Sequence, residues 1–421
     1  MRVLIIGSGA AAHAIAWKLL SSEKSKNHLE LIVAPGNKVL NGFAECLDID
    51  TRDVNRILDI SIARKINLTI VLDESLFATN IVEIFQEAGK LIFAPGFQSS
   101  LITRSRSLAK EFFIDNHIPS IKSVIFDDAN IALAYLSSAQ YPLRLLSDRV
   151  ESNSKALFVN SFDEVQACIG EFFKQKFLSQ EKNKIIIEEQ INKNIFSIAT
   201  VCDGFRALSL SPVQAYKSLN LQEDNGAYAP TALINDRTMA IIRKEIINPV
   251  MAALEKNNAP YTGFLCFDIS LNPNPQLIQI RSNLCDSEAQ VMLPLLDEDL
   301  YELLQAAANH DLGHYKDGLH KFVGSALAVN INSSAPANPN LINEIQAILE
   351  DINHSFSGIN LVYYGTKLDE NQQVIKEETF GITAVAETLV EAQILAYKIT
   401  EAIDIPNKEY EKQIGDHGLV S

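Results

Sequence analysis

Cysteine is scarce in this sequence, and the few cysteines stand far apart. They occupy positions 46, 168, 202, 266 and 285 of 421 residues. No two of them form a Cys-x-x-Cys pair, so the pattern excludes a disulfide framework and a zinc site. It predicts small buried thiols in a reducing compartment.

Long apolar runs are missing as well. No stretch approaches the roughly 20 residues that a transmembrane helix needs. The apolar start, Val3–Ile6, ends at Gly7-Ser8-Gly9 and is too short for a signal peptide. We therefore expect a cytoplasmic protein without a membrane partner.

Basic residues are fewer than acidic residues. Lysine and arginine total 36 against 52 aspartates and glutamates, which gives a net charge of −16. Such a field repels nucleic-acid backbones, so we expect no nucleic-acid partner.

Walker A, Gly-x-Ser-x-Gly and His-Glu-x-x-His motifs are missing too. His310 and His314 have the spacing of a metal pair, but Gly313 lies between them and no Glu follows His310, which favours a solvated loop.

The sequence is rich in alternating strand and helix patterns. Apolar residues make up 47% and charged residues 21%, as in ordinary packed domains. In the first hundred residues, short apolar runs typical of strands buried on both faces alternate with helical spacing. The runs are Val3–Ile6, Leu29–Val33, Leu68–Leu72 and Leu91–Phe93, and the helical stretches lie near 11–21, 51–63 and 78–88. This order predicts an open, doubly wound, mostly parallel sheet.

From about residue 120 the pattern changes to α+β. Strands are predicted at 123–126, 143–146, 156–159, 185–188, 196–202, 206–210, 323–331 and 380–384, helices near 128–138, 162–179, 297–309 and 387–403, and a surface loop at 333–337. A long helix is predicted from a cap at Asn235 or Asp236 to Lys256. Thr262–Ile269 and Gln276–Arg281 are predicted to form a hairpin, because Asn-Pro-Asn-Pro separates them.

Two short strings are candidates for ligand contacts. Gly7-Ser8-Gly9 follows the first strand and opens a helix, where glycines let backbone amides approach a phosphate. Because position 12 is alanine, a smaller phosphate-bearing ligand or a structural tight turn is favoured over a dinucleotide. Ala11 and Ala12 add no side-chain ligands, so we predict weak, salt-sensitive phosphate binding there. Glu188-Glu189 ends an Ile-rich strand, and it is either a ribose or metal ligand or an exposed strand end.

Strings along the whole chain resemble those of phosphoribosylamine–glycine ligases, the glycinamide ribonucleotide synthetases of the ATP-grasp superfamily. They are Gly-Ser-Gly at 7–9 with His-Ala-Ile-Ala-Trp-Lys-Leu at 13–19, Ala-Pro-Gly-Asn at 34–37, Leu-Thr-Ile-Val at 68–71, Ala-Leu-Ala-Tyr at 132–135, Ile-Glu-Glu at 187–189, Gly-Ala-Tyr-Ala-Pro at 226–230, Pro-Tyr-Thr-Gly-Phe-Leu at 260–265, Gly-Ile-Thr-Ala at 381–384, Glu-Ala-Gln at 391–393 and Ile-Gly at 414–415. The resemblance implies a doubly wound N-terminal domain at 1–118, ATP-grasp subdomains at 119–190 and 191–320, and a C-terminal α+β domain at 321–421.

The resemblance also implies a reaction and a set of site residues. ATP phosphorylates glycine, and the amine of 5-phosphoribosylamine captures the acyl phosphate, with magnesium bridging the ATP phosphates. The partners implied are therefore small-molecule substrates. Carried onto this sequence, the catalytic residues are Lys217, Asp286 and Glu288, the cofactor-binding residues are Arg106, Glu188 and Glu189, and the substrate-binding residues are Gly7, Ser8, Gly9 and Glu74.

The sequence departs from the family at the ATP and metal segments. The family's Leu-Glu-Phe-Asn, which supplies magnesium ligands, reads Ile-Gln-Ile-Arg here, with Gln279 and Arg281 at the ligand positions. The metal ligands are therefore not identified. The lysine that precedes the family's glycine-rich loop reads Leu146, and Glu151 lies where the loop should cover the phosphates.

Three functions stay open at this point. The chain is the family enzyme of de novo purine synthesis, or an inactive pseudoenzyme that serves as a binding or regulatory protein with a protein partner. The third reading is a different ligase whose donor site is rebuilt, with Arg106, Arg144 and Arg149 holding phosphates. Because of the departures, we predict that magnesium-dependent ATP binding is largely lost.

Overall fold

A computed structural model of the protein describes residues 1–22, 28–36, 40, 44–148, 156–174, 184–189, 195–217, 224–315, 319, 324–333, 359–368 and 374–419. Within these ranges the chain forms four β-sheets with helices packed against them. None of the helices described is both long and apolar enough to span a membrane.

The first sheet is parallel and has five strands in the order β3-β2-β1-β4-β5. Its elements are β1 Arg2–Gly7, α1 Ala10–Ser21, β2 Glu30–Pro35, β3 Glu45–Cys46, α2 Val54–Ala63, β4 Leu68–Val71, α3 Ile81–Glu87 and β5 Ile92–Phe93. Alternate residues of β1 enter two different cores, with Val3 and Ile5 on one face and Leu4 and Ile6 on the other. Burial on both faces is what the continuous apolar runs predicted.

Two helices, α4 Leu101–Arg104 and α5 Arg106–Asp115, lead to an antiparallel sheet in the order β6-β9-β7-β8. Its elements are β6 Ser123–Phe126, α6 Ala129–Leu136, β7 Leu143–Ser147, β8 Ala156–Val159, α7 Phe162–Lys174 and β9 Ile185–Glu189. Leu143 and Leu145 of β7 pack into the core that α6 and α7 cover. Strand alternation therefore turns Arg144 and Leu146 to the opposite face.

Residues 195–281 contain the next group of elements. They are β10 Ile195–Gly204, β11 Ala207–Ser209, β12 Gln214–Lys217, β13 Asp224–Ala229, α8 Asp236–Ile242, α9 Asn248–Lys256, β14 Tyr261–Leu271 and β15 Pro275–Arg281. Strands β11-β10-β14-β15 form an antiparallel sheet, which confirms the predicted hairpin. The Asn235 side chain caps α8, as predicted. The long helix is interrupted by a wider π-helical turn at Arg243–Ile247, because Pro249 has no N–H to donate to the preceding turn.

The last sheet has the order β12-β13-β16-β18-β17, with β19 paired to β16. The remaining elements are α10 Asp286–Leu295, α11 Leu300–Ala308, β16 Ser325–Ser333, β17 Ile359–Leu368, β18 Val374–Ala386, α12 Leu389–Ala402, β19 Lys408–Tyr410 and α13 Asp416–Leu419. The predicted loop at 333–337 is wrong at its first residue, since Ser333 is buried and ends β16; residues 334–337 lie outside the described ranges. Helix α10 packs against α1 on one side and against β13, β16 and β18 on the other. It therefore places the segment before it at the carboxyl edge of the first sheet.

Candidate functional site

A row of polar side chains crosses the β10-β14-β15 sheet. Ser197 of β10 pairs with Asp268 of β14, and Asp268 pairs with Gln279 of β15. Arg281 lies two residues beyond Gln279 and therefore on the same face. Ser197 and Asp268 belong to no recognisable motif, and only the strand register shows that they lie beside the family's metal segment.

The Arg281 guanidinium is enclosed by protein acceptors. Nε and Nη2 donate to the two carboxylate oxygens of Asp268 at 2.9 and 2.8 Å, and Nη2 also lies 2.8 and 2.9 Å from the Glu288 oxygens. Nη1 donates to the Asn283 carbonyl at 3.1 Å and to the Cys285 sulfur at 3.0 Å. A guanidinium has five N–H donors, and these contacts engage all of them. We call Arg281 with Asp268 and Glu288 the arginine centre.

The arginine centre is buried and carries net negative charge. The side chains of Arg281, Asp268 and Glu288 are 13%, 6% and 0% exposed. Burial by itself lowers the pKa of Arg281, but Asp268 and Glu288 hold it well above its ordinary value, so the guanidinium stays charged. The Ser197 hydroxyl and the Gln279 amide both donate to Asp268, at 2.6 and 2.7 Å. One cation thus compensates two carboxylates.

The residues present do not fit the magnesium ion that the resemblance implies. Magnesium needs oxygen ligands with open lone pairs in a nearly octahedral arrangement. Here Asp268 and Glu288 already hold a guanidinium, and the Gln279 amide presents its N–H to Asp268 rather than an oxygen. Across the described ranges, no group of three or more His, Cys, Asp or Glu side chains is arranged to hold a metal ion.

Glu188 belongs to a second buried charge cluster. Its carboxylate, 0% exposed, lies 2.7 Å from Lys110 Nζ and 2.6 Å from Arg144 Nη2. Arg144 is its cross-strand partner in β7, and Lys110 reaches it from α5. Although burial raises the pKa of Glu188, the two cations more than offset this and lower it below the ordinary value. Interpreting Glu188 as an exposed strand end was therefore wrong, whereas Glu189 is exposed and 3.8 Å from Lys122.

Arg106 lies at the first residue of α5, next to this cluster. Its Nη1 donates to the Ser147 carbonyl at 2.7 Å, and its backbone N–H donates to the Asp148 carbonyl at 2.9 Å. Burial, followed by repulsion from Arg144, lowers the pKa of Arg106 to about 10. Arg149 and Glu151 lie outside the described ranges.

The Gly7–Gly9 string ends β1 and leads into α1, as the sequence predicted. The backbone N–H of Ala11 donates to Asp286 Oδ1 at 2.7 Å, and a Cβ on Gly9 would lie 3.1 Å from the same oxygen. Two of the site residues predicted from the resemblance, Gly9 and Asp286, are thus brought together. The Asp286 carboxylate thus accepts a hydrogen bond from one of the backbone amides that a phosphate would use at this helix terminus.

Asp286, Glu74 and Lys217 complete the set of site residues that the resemblance implies. Asp286 keeps contact with solvent, yet the protein atoms around it desolvate its carboxyl group and raise its pKa to about 6, with Asp224 adding to the rise. Glu74 accepts a hydrogen bond from Ser282 at 2.9 Å, beside the arginine centre. Lys217 is the last residue of β12, and its backbone pairs with Asp224. Its side chain is not among those described.

Comparisons with known proteins agree with this architecture. Residues 104–289 match the phosphoribosylglycinamide synthetase ATP-grasp (A) domain, and residues 1–102 match the N domain of the same synthetase. A phosphoribosylamine–glycine ligase from Caldanaerobacter subterraneus subsp. tengcongensis is 28% identical over 424 residues, covering 98% of this chain and 99% of that protein. Phosphoribosylamine–glycine ligase from Thermotoga maritima superposes with a TM-score of 0.76 at 17% identity, covering 98% of this chain and 100% of that one.

A more distant neighbour shows how widely the fold is shared. The biotin carboxylase domain of 2-oxoglutarate carboxylase from Hydrogenobacter thermophilus, solved with magnesium ADP, superposes with a TM-score of 0.68 at 11% identity, covering 99% of this chain and 97% of that one. Fold and domain matches together define an ATP-grasp protein, a class that uses ATP and magnesium. Within that class, the chain belongs to the phosphoribosylglycinamide synthetase family, and its curated relatives include phosphoribosylamine–glycine ligases. The resemblance and the fold class expected from the sequence are confirmed.

Proposed function

We propose that this protein is a small-molecule-binding member of the family that does not transfer phosphoryl groups from magnesium ATP. The observation that carries the proposal is the pairing of Arg281 with Asp268 and Glu288 in the family's metal segment. Phosphoryl transfer from ATP depends on metal ions that bridge the phosphates and neutralise the charge on them. A guanidinium already bound by both carboxylates competes with any such ion for the same oxygens.

The second charge cluster supports the same proposal. Glu188, expected to contact the cofactor, is buried and compensates Lys110 and Arg144. The charges of Lys110 and Arg144 are therefore already compensated by one buried carboxylate before any nucleotide binds. The surface at Gly9 and Asp286 is open to solvent, since Asp286 is exposed and Gly9 is partly exposed. We assign it a small cytoplasmic ligand of the phosphoribosylamine or glycine class, whose binding a protein partner would sense.

Thermal unfolding tests this proposal directly. A ligand at 100 times its dissociation constant stabilises a protein by about 2.7 kcal/mol, which is resolvable as a shift in Tm. We expect millimolar magnesium ATP to raise the Tm no more than sodium triphosphate at equal ionic strength does. The Thermotoga maritima ligase, treated in the same way, serves as the positive control. A magnesium-dependent rise of several degrees that disappears in Lys217→Ala would overturn the proposal.

A second candidate is the ligase reaction itself. It is favoured by the 28% identity to a ligase in an alignment that covers 98% of the chain, and by Asp286 and Glu288, the two acidic residues of α10 to which the resemblance gives a catalytic role. A coupled assay for ADP release, with glycine and freshly generated phosphoribosylamine, separates the two functions. Release that requires all three substrates and magnesium supports the ligase. Release at the background rate, together with a Tm shift by one substrate alone, supports the binding protein.

A further inference from the structure

The arginine centre has the shape of a cation site as well as of an ion pair. The Nη2 atom of Arg281 is surrounded by four oxygen atoms, namely Asp268 Oδ1 at 2.8 Å, the two Glu288 oxygens at 2.8 and 2.9 Å, and Ser197 Oγ at 3.3 Å. A bidentate carboxylate, a second carboxylate and a neutral oxygen around one point are also the ligands that calcium takes in proteins.

We infer that the Arg281 guanidinium is a tethered replacement for a divalent cation and that Arg281 is the residue that makes this centre independent of metal. The inference deepens the proposed function, because it explains how the protein keeps buried carboxylates compensated without an ion from solution.

The two buried carboxylates of the arginine centre need a cation beside them. Asp268 and Glu288 are 6% and 0% exposed, and two like charges this close cannot both stay ionised in a buried site without a cation. Arg281 supplies a single positive charge at a fixed position, whereas a divalent ion supplies two. The Gln279 amide adds a hydrogen bond to Asp268 where a third carboxylate would add a charge. The negative charge of the centre is thus matched to a cation with one positive charge rather than two.

Both carboxylates are held in position by contacts other than those to Arg281. Asp268 is held by the strand pairing with Ser197 and Gln279, and Glu288 is held by its hydrogen bond to the Cys285 N–H at the start of α10. Neither carboxylate depends on Arg281 alone for its position. Removal of the guanidinium should therefore leave a preformed cluster of oxygens, which water molecules can complete around a divalent ion.

The test measures metal binding without any activity assay. Thermal unfolding and isothermal titration calorimetry are run with CaCl2 or MnCl2 alone, for wild type, Arg281→Ala and Arg281→Gln. Wild type should show no shift beyond that of NaCl at equal ionic strength. Both variants should have a lower Tm than wild type and should recover several degrees with millimolar metal, in a saturable manner. The double variant Arg281→Ala/Glu288→Gln, which lacks one carboxylate, should lose this response.

Folding failure is itself informative in this design. If neither variant folds in NaCl, refolding in CaCl2 decides, because recovery of folded protein only with calcium supports the inference. No recovery, or folded variants that ignore both metals, overturns it. Equal metal binding by wild type and variants also overturns it, since Arg281 would then exclude nothing. A magnesium-ATP response of the wild type bears on the proposed function alone, so the two failures remain distinguishable.

Discussion

Replacing Glu188 with glutamine should destabilise the protein far more than any surface change of the same kind. The Glu188 side chain is 0% exposed, and the Lys110 and Arg144 side chains that it binds are 4% and 3% exposed. Glutamine keeps the size and removes the charge, so two desolvated cations lose the carboxylate between them. Removing one partner of a buried ion pair costs about 3–5 kcal/mol, because the remaining charge stays buried.

Urea unfolding followed by circular dichroism measures this loss. With a slope of about 2 kcal/mol per molar urea, the unfolding midpoint should fall by roughly 1.5–2.5 M. Glu189→Gln is the matched control, since Glu189 is the next residue, is 66% exposed and lies 3.8 Å from Lys122. An exposed pair of this kind contributes about 0–1 kcal/mol. Equal midpoints for the two variants would refute the buried cluster.

The pH dependence provides an independent check on the cause. The pKa of Glu188 is lowered in the folded protein, so its contribution is present above the ordinary glutamate pKa and is lost as the pH falls through the lower folded value. Burial lowers the pKa of Lys110, and Glu188 partly restores it. In Glu188→Gln that support is gone, so the pKa of Lys110 in the folded protein falls further below its value in the unfolded chain. The unfolded state therefore holds the Lys110 proton more tightly than the folded state over a wider range of pH. The variant's stability should therefore rise with alkaline pH more than that of the wild type.

Three further predictions concern other parts of the chain. Asp286→Asn should be more stable than wild type at alkaline pH, because desolvation by the surrounding protein atoms, together with Asp224, raises the pKa of Asp286 to about 6 and its charged form opposes folding; the gain should shrink as the pH falls below that value, and a gain that is constant with pH in urea titrations would contradict this. Cys202 and Cys266 should resist iodoacetamide in the native protein and react in urea, because burial raises the pKa of Cys202 to about 12 and that of Cys266 well above its usual value; native labelling of either, seen by mass spectrometry, would disprove this. Gly226→Ala should lower the urea midpoint more than Gly89→Ala, because both have positive φ but only a Cβ on Gly226 would clash with a backbone oxygen, that of Ala328; strain of this kind costs about 1–3 kcal/mol, and equal midpoints for the two variants would count against it.

Local patterns in the sequence were enough for most of the framework. Continuous apolar runs predicted four of the five strands of the first sheet, all except β3, and the Asn-Pro-Asn-Pro turn predicted the hairpin of β14 and β15. Asn235 was recognisable as a helix cap. These features depend on residues within a few positions of each other, so the sequence contains the whole interaction.

Helix α10 was not predicted, although it carries Asp286 and Glu288. Eight of its ten residues are buried, because α1 and the last sheet cover it from opposite sides. A helix buried all round has no polar face, and Pro294 further obscures its pattern. The signal that could have identified its start is the Glu288 carboxylate, which accepts from the Cys285 N–H as in a capping box.

By itself, the sequence predicted most of the strands of the first three sheets and the hairpin turn between β14 and β15, and its resemblance to the family implied that Arg281 stands at a metal-ligand position. Only the tertiary structure decided what Arg281 does, since it aligns Ser197 and Asp268 beside it and brings Glu288 from the next helix. The same is true of Glu188, whose burial follows from a partner in β7 and a lysine on α5. The physical reason is that the spacing of apolar residues determines which face of a helix or strand is buried. Strand register and the packing of elements then determine which charged side chains contact each other.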